Sequence, residues 1–139
     1  MNKIDLQLHS TASDGKHAPA ELIAMAASGG VEIVSLTDHD TVGGIAQALA
    51  CAAQTGVRII PGIEMSVEER GAHILGYGIN EGHQGLCAQL TRFQQGRIEG
   101  AKQMVENLKR SGFAVTWEDV EKQAAGVIAR SAGGCDDQG

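Results

Sequence analysis

The chain has 139 residues, the length of one domain, and a formal charge of −6, which argues against a nucleic-acid surface built on a basic patch. Apolar residues make up 42% but aromatics only 3%, so a core must be assembled from Ile, Leu, Val, Ala and Met. No run approaches the roughly 20 apolar residues of a membrane span, and Met1-Asn2-Lys3 leads straight into a strand with no signal-peptide pattern, so a cytoplasmic protein is expected.

The first strand is expected from about Ile4 to His9, where Ile4, Leu6 and Leu8 alternate with Asp5, Gln7 and His9. A helix follows over Pro19–Ser28, started by Pro19 and stopped by Gly29-Gly30. The second strand runs from Glu32 to Thr37 and ends at Asp38-His39-Asp40. Thr41 is a candidate cap for a second helix over Gly43–Gln54, with Gly56 as its stop. Val57–Ile63 is a near-continuous apolar run that reads as a strand buried on both faces. This alternation of strand and helix at short spacing predicts parallel βαβ units. Glu64–Val67 and Ala72–Ile79 then flank Glu68-Glu69-Arg70-Gly71 as a hairpin. A long polar-amphipathic helix extends from after Gly82 to about Arg110, stopped by Gly112. Thr116 caps a last short helix with Asp119 as its capping-box acid. The expected division is 1–80, carrying the site motifs; 81–126, helical; and 127–139, a loose tail. Cys51, Cys87 and Cys135, odd in number and far apart, favour free thiols.

In folds with parallel strands, sites form at the strands' carboxyl ends. Here strand one delivers His9 and then Asp14, strand two His39, strand three Glu64, and the hairpin returns His73, which falls across from Ser66 on the face of Glu64. Imidazoles and carboxylates are the donors that divalent transition metals take. Asp38 and Asp40 read as helix-start acids, a role that suits Asp40 better. His17 and His83 lie in a loop and at a helix start, with no chemistry assigned. Ser10 and Ser13 have no evident base beside them. No protein nucleophile is therefore expected, and the attacking group would be metal-activated water.

The segments Asp5–Gly15, Leu36–Asp40, Pro61–Glu64 and His73–Ile79 resemble, in order and spacing, the motifs of the polymerase and histidinol phosphatase (PHP) family, and are most similar to its small stand-alone phosphoesterases. Gly96-Arg97 and Val127–Ser131 resemble parts of that group's inserted helical segment. The resemblance implies an α/β fold, the first part of a distorted (β/α)7 PHP-type barrel plus an inserted helical segment. It implies two or three divalent ions (Mn, Zn, Fe or Mg) held by His9, Asp14, His39, Glu64 and His73, and hydrolysis of small phosphorylated substrates such as nucleotides, with Arg97 and Arg130 on the phosphate. Gln7 stands where the family has the first His of His-x-His, a weaker ligand by its chemistry. The family's later ligands have no counterpart here, and after Ser131 the likeness ends, so the chain reads as a truncated first half. A non-catalytic metal- or phosphate-binding module is the competing expectation, and a proofreading-type nuclease module a third. An open sheet edge in such a half barrel predicts self-association, with no nucleic-acid or membrane partner.

Overall fold

The computed structural model describes residues 3–67 and 72–124. In chain order they form β1 (Lys3–Leu8), α1 (Pro19–Ser28), β2 (Val31–Leu36), α2 (Ile45–Thr55), β3 (Arg58–Ser66), β4 (His73–Tyr77), α3 (Gln84–Arg110) and α4 (Trp117–Gln123). The sheet order is β1-β2-β3-β4. β1, β2 and β3 run parallel and β4 returns antiparallel, with Ser66 paired to His73 as the hairpin spacing predicts. The result is the curled four-stranded half-barrel expected for the first part of a PHP-type barrel.

Side-chain alternation assigns each strand two faces. Leu8, Val34, Leu36 and Ile59 turn toward α1 and α2, where Ile23, Ala48 and Ala52 complete the main cluster. Ile23 is fully buried, and a side chain of that size contributes about 1.5–3 kcal/mol by leaving water. A second cluster joins Val42, Ile45 and Ile63 to Leu90 of α3, which seats that long helix against the end of the sheet. The opposite sheet face carries Gln7, Ser35, Gly62 and Glu64. A Cβ at Gly62 would collide with the Ser35 hydroxyl and the Thr37 methyl, so only glycine lets β2 and β3 approach there.

The helix signals act as read. α1 starts on Pro19, Gly56 ends α2 in the left-handed conformation (φ 77°), and Thr116 and Asp119 close a reciprocal capping box on α4. Two expectations need correction. Thr41 does not cap α2: it bonds the Gly43 amide within its own turn, and the helix begins two residues later than read, behind Gly44. β3 is not buried on both faces: Arg58 is exposed and Ile59 and Ile60 are half-buried. It also runs three residues further, because the hairpin's first arm continues the same strand without a break. Cys51 is a free thiol, as read, and Cys135 lies outside the described residues. β1 is an edge strand whose Ile4 and Leu6 remain 55% and 39% exposed. Among the described residues no helix is long and apolar enough to cross a membrane. Residues 127–139, and Arg130 with them, lie outside the described residues.

Candidate metal centre

Three consecutive parallel strands deliver their carboxyl ends to one place. His9 follows the last residue of β1, His39 lies three residues past β2, and Glu64 sits within β3 where it forms a parallel bridge with His39. One donor atom from each lies within 4.8 Å of the others. His9 Nε2 is 2.9 Å from Glu64 Oε2. The His39 ring meets those of His9 and His73 edge-on, with centroids 4.7 and 4.8 Å apart. With bonds of about 2 Å to nitrogen or oxygen, donors on one ion span roughly 4 Å. The donor set and its spacing therefore fit a divalent metal.

Asp14 and His73 join the same cluster. Asp14 Oδ1 lies 2.9 Å from His9 Nδ1, and its Oδ2 lies 3.8 Å from His39 Nε2. His73 Nδ1 lies 2.7 Å from Glu64 Oε1. The five residues named as ligands from sequence thus occupy one site. Gln7 enters it differently: its amide nitrogen donates to Glu64 Oε2 at 3.0 Å, the oxygen that His9 also faces. In this geometry Gln7 anchors a carboxylate.

The electrostatics follow from those contacts. Burial works against the His9 cation, but its hydrogen bond with Asp14 and the charges of Asp14 and Glu64 outweigh burial and raise its pKa above 6.5. Burial likewise disfavours the charged carboxyls of Asp14 and Glu64. Both are nonetheless held below their usual range, Asp14 by its bond with His9 and Glu64 by donors on Gln7 and His73. Two ionised carboxylates facing imidazoles make a site that attracts a cation.

The supports of this site were not legible as such in the sequence. Asp38, only 2% exposed, accepts from the Ser10 amide (2.6 Å), the Ser10 hydroxyl (2.7 Å) and the Ser13 hydroxyl (2.6 Å). These bonds fix the loop between His9 and Asp14 to the loop that carries His39. Gly15 closes that loop against the His9 carbonyl, where a Cβ would overlap the backbone. Asp40 is not a helix-start acid, because α2 begins five residues later. Its carboxylate is buried against Ser66 and Arg97. The doubled Asp around His39 was the available signal, and only the fold shows where each carboxylate turns. Arg97 reaches in from α3 to Asp40 Oδ2 at 2.9 Å, while its side chain stays 61% exposed.

Comparison with known proteins places this geometry. The PHP domain family model matches residues 5–138. The chain is 41% identical over 116 residues to a 3',5'-nucleoside bisphosphate phosphatase of Chromobacterium violaceum, covering 82% of this chain and 41% of that protein. It is 35% identical over 131 residues to a 5'-3' exoribonuclease of Haemophilus influenzae, covering 93% of this chain and 48% of that protein. A crystal structure from Bifidobacterium adolescentis, described as a metal-dependent phosphoesterase, superimposes with a TM-score of 0.78 at 26% identity over 88% of this chain and 43% of its own. The chain therefore spans less than half the length of these relatives. With His9, His39 and Glu64 converging from three strands and a family match over nearly its whole length, the chain belongs to the PHP domain family.

Proposed function

We propose that the chain is the part of a metal-dependent phosphoesterase that builds the first side of its metal centre, and that the enzyme hydrolyses small phosphorylated substrates such as nucleotides. The observation that carries this reading is the convergence of His9, His39 and Glu64 donor atoms within 4.8 Å at successive strand ends. His9, His39 and Glu64 would hold the ion, with Asp14 and His73 beside them. A divalent ion held there supplies Lewis acidity toward a phosphoryl oxygen and makes a nucleophile of water at neutral pH. Mn and Zn suit the mixed nitrogen and oxygen donors. Asp14, bonded to His9 Nδ1, fixes the ring so that Nε2 faces the centre, the usual task of a carboxylate behind a ligating histidine. Gln7 and His73 hold the two oxygens of Glu64 in place. Arg97 uses one nitrogen on Asp40 and is largely exposed, so its remaining donors suit a substrate phosphate.

One observation favours a second reading. Gln7 donates to Glu64 where an imidazole would add a ligand, which suits a module that binds metal or phosphate without turnover. Phosphate release from nucleoside monophosphates and 3',5'-bisphosphates, assayed with added Mn²⁺ beside elemental analysis of chelator-free protein, separates the two. Turnover supports the enzyme; stoichiometric metal with no turnover supports the binding module; absence of bound metal defeats the enzyme and the metal-binding module alike.

A further inference from the structure

Besides the apolar seat of Leu90, α3 makes polar contacts with Asp40, the residue after His39. Its carboxylate is 1% exposed and accepts three hydrogen bonds: from the Ser66 amide at 2.8 Å, the Ser66 hydroxyl at 2.7 Å and Arg97 Nη1 at 2.9 Å. Its own amide donates to the Glu64 carbonyl at 3.0 Å, and its carbonyl accepts from Gln94 Nε2 at 3.1 Å. The side chain and the backbone groups of this one residue thus tie the position after His39 to β3 at and just beyond Glu64, and tie both to α3 at two places. Asp40 also takes a left-handed backbone (φ 50°), which a residue with a Cβ keeps only where its surroundings over-determine it.

The charge balance gives this arrangement a direction. A buried carboxylate is tolerated when it is hydrogen-bonded and paired with a cation. Ser66 supplies donors from the sheet, and the cation comes from Arg97 on α3. With Arg97 withdrawn, the buried charge would favour any motion that brings it water. Such a motion would loosen the bonds that hold His39 beside Glu64.

We propose that Asp40 is a positioning residue that links the seating of α3 to the spacing of His39 and Glu64, so that metal loading and helix docking strengthen each other. The proposal rests on the metal-centre reading above. Coupling of this kind is reciprocal: whatever α3 docking adds to metal affinity, the metal adds to α3 docking.

The test uses the full chain with Mn²⁺ alone as the probe. Calorimetry gives Mn²⁺ affinity, and hydrogen exchange gives the protection of α3 amides between Leu90 and Val105 with and without the ion. The variants are Arg97→Gln, Asp40→Asn and the pair together. In the unaltered chain Mn²⁺ is expected to increase protection across that stretch. Each single variant is expected to weaken Mn²⁺ binding by about tenfold, the lower end for residues behind a ligand, and to abolish the metal-induced protection. The double variant is expected to be no weaker than the weaker single, since both break one link. Arg97→Gln keeps an amide that can still donate to Asp40, and Arg97→Lys, which keeps the cation, is expected to retain both Mn²⁺ affinity and metal-induced protection, so these two Arg97 variants decide the matter even where Asp40→Asn unfolds the chain. Unchanged Mn²⁺ affinity in Arg97→Gln, additive losses in the double variant, or α3 protection that ignores the ion would each overturn the link while the metal centre stands. Failure of the unaltered chain to bind Mn²⁺ would overturn the metal centre and this proposal together.

Discussion

Removing the Asp38 carboxylate tests whether the loop around the site is held from within. Asp38→Ala strips the acceptor from the Ser10 amide and the Ser10 hydroxyl and removes the shorter of two acceptors from the Ser13 hydroxyl, which keeps Asp14 Oδ1 at 3.3 Å. Ser10 is fully buried and Ser13 is 6% exposed, so water does not replace the lost acceptor without rearrangement. A buried group left without a partner costs about 1–3 kcal/mol. Relief from desolvating the carboxylate offsets part of this, so the low end applies to each of the two Ser10 groups, and with the weakened Ser13 bond the expected loss is roughly 2–3 kcal/mol. That is a large share of the roughly 5–15 kcal/mol that holds a typical domain together. Asp38→Asn keeps the volume and one acceptor oxygen, and hydroxyl rotors can adjust to the new amide, so it should cost about 1–2 kcal/mol. Urea unfolding of the metal-free protein, with midpoints compared at constant slope, reads both values. An Asp38→Ala variant within about 0.5 kcal/mol of the unaltered chain would behave like an ordinary surface substitution. The loop would then owe its position to something else, and the account of how His9 and Asp14 are set beside His39 would be wrong.

Other consequences follow from the same geometry. Gln7→His puts an imidazole where an amide now faces Glu64, and calorimetric titration with Mn²⁺ or Zn²⁺ should show affinity tightened by about tenfold or more; equal affinity would keep position 7 out of the ligand set. Gly15→Ala drives a methyl into the His9 backbone, so circular dichroism melting should show a clear loss of stability and Mn²⁺ binding should fall with it. Metal uptake should weaken as pH falls into the range where His9, whose pKa is raised above 6.5, takes up a proton, and binding should release protons in buffers of differing ionisation enthalpy. In the metal-free chain the raised His9 pKa contributes stability that is full below about 6.5 and is lost as pH rises through the folded value. The lowered Glu64 pKa contributes stability present above about 4.5 and lost as pH falls through the folded value. The two contributions overlap between those limits, so chemical denaturation across pH should place the metal-free optimum there.

The sequence by itself determined the order and kind of the elements and, for α1, the end of α2 and α4, the residues that bound them. The alternation from Ile4 to His9, Pro19 at the first position of α1, Gly56 after α2 and the Thr116–Asp119 pair each act through neighbours a few residues away, and the chain folds locally as they require. The order of candidate ligands was legible for the same reason, since parallel strands connected by helices bring successive carboxyl ends to one edge. The hairpin spacing even fixed His73 opposite Ser66. Only the tertiary structure decided where the polar groups between those landmarks turn. Asp40 binds Arg97 across 57 positions and Ser66 across 26, and Gln7 reaches Glu64 across 57. Periodicity and capping rules concern residues within a turn or a strand of one another. A buried carboxylate instead takes whichever donors the packing of β3 and α3 sets around it, and those donors are chosen by the fold as a whole. For that reason Asp40 looked like a helix-start acid in the sequence and is a tether in the folded chain.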